Sequence, residues 1–530
     1  MRLKNFKYIL PAAAMVLSLG MGSCINDLDV TPIDPSTNMT PNYDALFNKC
    51  YANFSMAGQG GANGDCDIDG LDGGMTGFVR QMFNSNELTT DEAICCWGDE
   101  GIEVFNLNQW GASHPMLRGF YYRLYFGVTM CNFFLGEAPS DYDATRVAEV
   151  RFIRALHYYY LMDAFGNIPF LTTMSAENAP QASRAEVYKF IEDELLEIEP
   201  LMAAPLTNNY GRVDKAAAWL LLSRLYLNAE VYTGTAQWQK AAEYAKKVMT
   251  SGYKLFDKGN SEWSAYQMLF MGDNGENGAK CEAIFPLLQD GITTTSWGAT
   301  LFLMASTFKT DMTLVGGATN NTDQAWAGNR ARPEMVKKFF PNGVPEGKTT
   351  AEMVEAAGDD RALIWGKDRT LNVDERTSFD NGYSVSKFVN FYSNGQAAKH
   401  KTFCDTDFFL MRAAEAWLTY AEATARENGG KLTAEGVDAI NEIRERAHAD
   451  TKSVYTLDEV LDEWCREFYF EGRRRIDLVR FGKFGGSSDY KWQWKGGVKE
   501  GTNFNANLNI FAIPDTDLAA NPNLKQNAGY

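Results

Sequence analysis

The sequence runs to 530 residues and carries 50 Lys and Arg against 68 Asp and Glu, a formal net charge of −18 at pH 7. So acidic a chain is a poor partner for nucleic-acid phosphates or anionic membrane surfaces. With 45% apolar residues and 13% aromatics it has ample material for a large core, and its length asks for two or three structural layers.

The N-terminus has the form of an export signal. Arg2, Lys4 and Lys7 precede a mostly apolar run from Tyr8 to Gly22, too short for a membrane span of roughly 20 residues. Small residues Gly22 and Ser23 stand directly before Cys24, the arrangement of a lipoprotein signal in which that thiol takes the lipid and becomes the new N-terminus. A plain secretory signal cut nearby is the alternative. On the lipoprotein reading, residues 1–23 are a signal peptide. Residues 24–40 are then a lipidated, flexible leader with two prolines, and 41–530 form the body, exported and tethered by the lipid. The other eight cysteines show no metal-ligand spacing and read as mostly buried, reduced thiols.

Beyond the leader, residues 58–112 are rich in Gly, Asn and Asp and read as a loop-rich insertion. A helix follows from about 116 to 135. Then "VAEVRFIRALHYYYLMDAFG" pairs with "SRAEVYKFIEDELLEIEPLM", where Ser183 and Glu186 stand at capping-box spacing. In "KAAAWLLLSRLYLNAEVYTGTAQWQKAAEYAKKVM" two helices flank a Thr/Gly turn, with Ala241, Ala242 and Ala245 on the close-packing side. This is the logic of a tetratricopeptide repeat. Between about 255 and 405 the helical period fades into a second insertion. It returns with "FFLMRAAEAWLTYAEATARENGG" and "TAEGVDAINEIRERA", and ends in a capped helix from Thr456 and Glu459 through "LDEWCREFYFEGRRRIDLVRFG". The predicted fold is mostly α: a tetratricopeptide-like helical-repeat scaffold of about four helix pairs, over 116–255 and 405–484, carrying two large irregular loop-rich insertions. Loops on a rigid scaffold are where binding usually resides.

Catalytic signatures fail in turn. There is no GxSxG elbow and no HExxH helix, and the four histidines are far apart, with His157 read as a satisfied core residue. "GVPEGKTT" has one residue too few between its glycines for a phosphate loop. No motif asks for a cofactor. Asp65, Asp67 and Asp69 alternate before Gly70 as in half of a calcium loop, but the twelfth position is Thr76, so a flexible polar loop is the alternative. In "REFYFEGRRRIDLVRFG", Glu467 and Glu471 read as i, i+4 neighbours on one helix with Arg474 one turn on, an interlocked ion-pair set beside buried Phe468, Phe470, Ile476 and Leu478.

That same stretch, as "REFYFEGRRRIDLVRFGKF", resembles the signature of the RagB/SusD family of surface nutrient-binding lipoproteins. "RFIRALHYYYLMDAFGNIPF", "DFFLMRAAEAWLTYAEA", "LTTDEA" and the closing "IPDTDLAANPNLKQNAGY" resemble other stretches of that family, so the likeness runs from about residue 24 to 530. It implies four tetratricopeptide-like helix pairs plus an irregular remainder. It implies, too, a non-catalytic protein that holds a glycan, or sometimes another nutrient, at the outer membrane as the lid of a SusC-like TonB-dependent transporter. The signature residues are scaffold in that family and bring no site with them.

Sugar rings present apolar C–H faces that stack on aromatic planes, while their hydroxyls pair with Asp, Asn and Arg. Family members that bind starch-like glycans use the early loop and the middle insertion. The matching aromatics here are Trp97, Trp297 and Trp326, with Asp99 beside Trp97 and with Asp72 and Arg80 as further polar candidates. Gly and Asn neighbours place these tryptophans in loops; core packing is the alternative for each. Trp219, Trp417 and Trp464 lie on apolar helix faces and read as core. A helical-repeat lipoprotein capturing peptides or another nutrient for the same kind of transporter is the second functional reading, and a glycan-degrading enzyme the third.

Overall fold

The computed structural model describes residues 41–64 and 66–530. Cys24, Asp65, the signal peptide and the leader lie outside the described residues. The chain forms two units, residues 1–43 and the body from 44 to 530.

Helices build the body, and their ends follow the local sequence. The segment α1 (Phe78–Asn86) precedes the long α2 (Pro115–Glu137), which starts with His114 accepting from the Leu117 N–H and with Pro115 at its first position. Next comes α3 (Ala144–Phe165), capped by Asp143 and closed at Gly166 in the left-handed region (φ 71°). Gly127 of α2 is what lets α3 approach: a Cβ there would sit 2.1 Å from His157 Nε2. As expected, Ser183 and Glu186 form a capping box, opening α4 (Arg184–Ile198).

In α5 (Lys215–Leu227) and α6 (Trp238–Met249) small residues form the packed face, and Ala241, Ala242 and Ala245 are buried. The strongest helix contacts of α6 are with α5 and, across the whole middle insertion, with α7 (Ala414–Glu427). Helices α8 (Ala434–Arg446), α9 (Leu457–Phe468, boxed by Thr456 and Glu459), α10 (Arg474–Arg480) and α11 (Asp515–Ala520) follow, and shorter helices stand between the labelled ones. His157 is fully buried, stacked on Phe54 and bonded to Asn53 and the Ile153 carbonyl; burial lowers its pKa to about 4, so it is a neutral core residue. All eight cysteines among the described residues are free thiols.

Among the described residues the sheet content is four two-stranded pieces. Two matter for the site: β1 (Ala93–Cys95) pairs antiparallel with β3 (Asn329–Ala331), and β2 (Ala283–Leu287) with β4 (Phe408–Arg412). The second pair corrects the sequence reading, which put Phe408–Arg412 in a helix. Five consecutive buried residues carry no period that separates strand from helix, and the partner that decides between them lies over 100 residues away.

The stretch read as one helix through Arg480 is likewise two, α9 and α10. Phe470 and Gly472 take φ of 64° and 81°, and the amides this break frees go to buried acids: Phe470 N–H to Glu92, Gly472 and Arg473 N–H to Glu87. With the helix broken, Glu467, Glu471 and Arg474 do not pair along one face. Glu467 instead accepts from Arg412 (2.6 Å), Arg361 (3.2 Å) and Arg446, while Glu471 accepts from Arg412 and Lys387. Arg474 forks onto Asp91 at 2.8 and 2.9 Å. All these groups are buried. Glu282 also accepts from Arg412 and Arg446, and Glu463 from Arg361, so the network ties residues 282, 361 and 387 of the middle segment to the helices around Glu463, Glu467 and Arg446 and to Arg412.

Candidate functional site

Both insertions converge on one surface. Cys96 N–H continues the β1–β3 ladder to the Gly328 carbonyl (3.0 Å), which sets Trp97 against the turn after Trp326. Gly328 has φ 106°, and a Cβ there would fall 2.2 Å from Trp97 Nε1, so only glycine leaves room for the indole. Just before β3 the Trp326 and Ala327 amides donate to the Ala305 carbonyl, and Trp326 Nε1 donates to Gln324 (2.7 Å).

A second seam runs through paired glycines. Arg80 N–H, in the first turn of α1, donates to the Gly298 carbonyl at 3.0 Å, and Gly77 and Gly298 touch backbone to backbone. The Trp297 loop is wound around Asp290, whose carboxylate accepts from the amides of Ile292, Thr293 and Thr294; burial opposes its charge, but these bonds and the Thr293 hydroxyl hold it well below the usual carboxylate range. Ala62 N–H reaches across to Thr295 Oγ1 (3.2 Å).

Trp297 and Trp326 lie 6.1 Å apart, tilted by 42°, and Phe403 packs on Trp297 at 4.8 Å. Trp97 stands edge-on to Phe302 at 6.2 Å. The Arg80 guanidinium sits between these last two rings, 5.9 Å from Trp97 and 5.2 Å from Phe302, with Asp99 3.9 Å away. Asp72 caps the short helix Gly73–Thr76, and its carboxylate and the Arg80 Nη1 both approach Gly74. Burial lowers the Arg80 pKa, opposed by Asp99, and its Nε is buried without a hydrogen-bond partner.

All six residues singled out in the sequence thus share one neighbourhood, and the three tryptophans are each partly exposed. Phe302, Phe403 and Gly328 also build it, and none of the three was singled out in the sequence. Trp417 and Trp464 are buried, and the half-buried Trp219 bonds Glu199. Of the calcium candidates, Asp67 pairs through one oxygen, Oδ2, with both Lys49 (2.6 Å) and Arg123 (3.4 Å). Among the described residues no cluster of His, Cys, Asp and Glu is arranged to hold a metal, and no helix is long and apolar enough to cross a membrane.

Residues 281–530 match the model of the SusD family, and residues 79–227 match one described as "Starch-binding associating with outer membrane". Over the full length of both chains the sequence is 41% identical to the starch-binding protein SusD of Bacteroides thetaiotaomicron. A SusD-like protein P2 of Formosa agariphila is 25% identical, over 82% of this chain and 85% of that one. Among solved structures, a SusD-like protein from Bacteroides fragilis superposes with a TM-score of 0.68 at 19% identity, covering 94% of this chain and all of that one. The surface glycan-binding protein A of B. thetaiotaomicron, in complex with laminarihexaose, gives 0.65 at 19% identity over 92% of this chain and 98% of that one.

Proposed function

The chain belongs to the SusD family, and from that premise we propose that it captures a neutral glycan at the cell surface without cleaving it. The observation that carries this reading is the meeting of Trp97 with Trp297 and Trp326, which come from two separate loop-rich segments, beside Arg80, Asp72 and Asp99. Tilted, partly exposed rings offer successive sugar rings an apolar plane each, and the guanidinium and carboxylates beside them supply donors and acceptors for hydroxyls. The 41% identical relative is a starch-binding protein, which makes starch the first ligand to test.

The rest of the proposal follows the family. Cys24 takes the lipid, the body faces outward from the outer membrane, and the glycan passes to a SusC-like TonB-dependent transporter. No cofactor and no nucleic acid takes part.

Affinity electrophoresis of residues 25–530 through gels cast with starch, laminarin and other soluble polysaccharides tests the reading. Retardation by a neutral glucan is the expected result. Passage through every gel at the unmodified rate would contradict glycan capture and turn attention to peptides. Incubation with the retained glycan should release no new reducing ends; their release would contradict a non-catalytic role.

A further inference from the structure

Residues 87–92 join α1, which carries Arg80, to β1, which leads into Trp97. An acid stands at each end of this link, Glu87 at 0% and Glu92 at 1% exposure. Both face the break between α9 and α10. Glu87 Oε1 accepts from the Gly472 and Arg473 amides (2.6 and 2.9 Å), and Glu92 Oε2 accepts from the Phe470 amide (3.2 Å). The other Glu87 oxygen, Oε2, is buried without a donor, and the side chain it meets is the Glu92 carboxyl.

Buried like charges in contact repel with no solvent to screen them, so one acid of such a pair holds a proton. The cations nearby are engaged elsewhere. Arg474 of α10 forks onto Asp91, and its Nε stands 3.5 Å from Glu92. Lys338 lies between Asp91 (3.5 Å) and Asp462 (3.0 Å). Arg473 turns its guanidinium to Asp477 and Glu415, and Arg332 donates to the Leu88 and Ala93 carbonyls. From α9 the Cys465 thiol bonds Glu92, while the Tyr490 hydroxyl donates to Asp91.

Burial, and then the Glu92 charge, hold the Glu87 carboxyl well above its ordinary range against the pull of two amides. Burial raises Glu92 as well, opposed by its bond to Glu87 and by Arg474. A proton on Glu87 Oε2 fits every one of these contacts. The orphaned oxygen becomes a donor, and Glu92 keeps the charge that Arg474 faces.

We propose that Glu87 and Glu92 share one proton at neutral pH, and that the pair is a positioning device for the tryptophan site, clamping the link between Arg80 and Trp97 onto residues 470–473. Two backbone contacts carry its effect outward. The Glu87 amide closes α1 on the Phe83 carbonyl (2.8 Å), and the Glu92 carbonyl accepts from the Arg332 amide (2.9 Å) beside the first rung of the β1–β3 ladder. Only the consequence for binding rests on the glycan-capture reading; the shared proton does not.

The test compares the mature chain, residues 25–530, with Glu87→Gln, whose amide can accept from both N–H groups and donate to Glu92, and with Glu87→Ala, which can do neither. Infrared spectra in heavy water at pD 8 should show a protonated-carboxyl C=O band in the intact chain that is missing from Glu87→Gln. A raised acid contributes stability that is complete below its unfolded pKa and lost as pH climbs towards the folded one. From pH 6 to 9 the unfolding constant of the intact chain should therefore rise, relative to that of Glu87→Gln, by up to tenfold per pH unit. Hydrogen exchange of the amides of residues 93–96 should quicken roughly tenfold relative to α6 in Glu87→Ala, the scale of one or two lost hydrogen bonds, and return in Glu87→Gln. Absence of the band, the same pH dependence in both proteins, or Glu87→Gln as damaging as Glu87→Ala would overturn the shared proton. Unchanged exchange in Glu87→Ala would overturn the positioning role. Starch-gel retardation should follow the order of the exchange rates, and its absence in all three proteins would count against glycan capture alone.

Discussion

Glu467→Gln is the perturbation that most sharply probes how the insertion is fastened to the scaffold. Glu467 is wholly buried among Arg446, Arg412 and Arg361. Burial works against its charge, but these three arginines prevail and draw its pKa from the ordinary 4.5 to about 2. A depressed carboxylate contributes stability that is present above its unfolded pKa and lost as pH falls through the folded one. A drop from 4.5 to about 2 corresponds to about 3 kcal/mol, within the 3–5 kcal/mol typical of removing one partner of a buried ion pair. For a body of roughly 490 residues, at about 2 cal/mol/K of unfolding entropy each, that is a fall in melting temperature of about 3 °C. Calorimetry at one scan rate should give this difference at pH 7 and roughly half of it at pH 3, between the two pKa values. A shift under 1 °C at pH 7, or one that does not shrink at pH 3, would refute the assigned role of the three arginines.

Asp407 works in the opposite direction. Its carboxylate accepts from Tyr210 (2.8 Å) and the Gln289 amide (2.8 Å), and burial pushes its pKa up to about 7. A raised acid contributes stability that is complete below about pH 4 and lost as pH climbs through 7, so Asp407→Asn should flatten the decline in melting temperature between pH 5 and 8; equal declines in both proteins would contradict this. Gly328→Ala forces a Cβ into Trp97 at a φ of 106°, and should weaken polysaccharide retention several-fold in affinity gels while the helical circular dichroism stays unchanged; undiminished retention would count against Trp97. Cys24→Ala should release the protein from the membrane fraction, and its persistence there after a salt wash would end the lipid-anchor reading.

Much of the scaffold was legible because its signals are local. Ser183 and Glu186, like Thr456 and Glu459, are three residues apart and cap the helices they were expected to cap. The alanines of α6 are buried as their spacing foretold. The failures were decided at long range. Phe408–Arg412 is a strand because Ala283–Leu287 lies beside it, and the break between α9 and α10 exists because Glu87 and Glu92, almost 400 residues earlier, take the freed amides. The site divides in the same way. Gly and Asn neighbours put Trp97, Trp297 and Trp326 in loops, but their meeting depends on the β1–β3 ladder and on Arg80 reaching Gly298, contacts between segments more than 200 residues apart. Phe302 behind Trp97, and Gly328 making room for it, had no sequence period to reveal them.

The central claim is that the three tryptophans form a glycan platform. Retardation of the intact mature chain in a starch gel, measured beside Trp97→Ala and Trp326→Ala and against a gel without polysaccharide, tests it most directly. The account predicts strong retardation of the intact chain and its near loss in both variants. Equal retardation of all three proteins would contradict it.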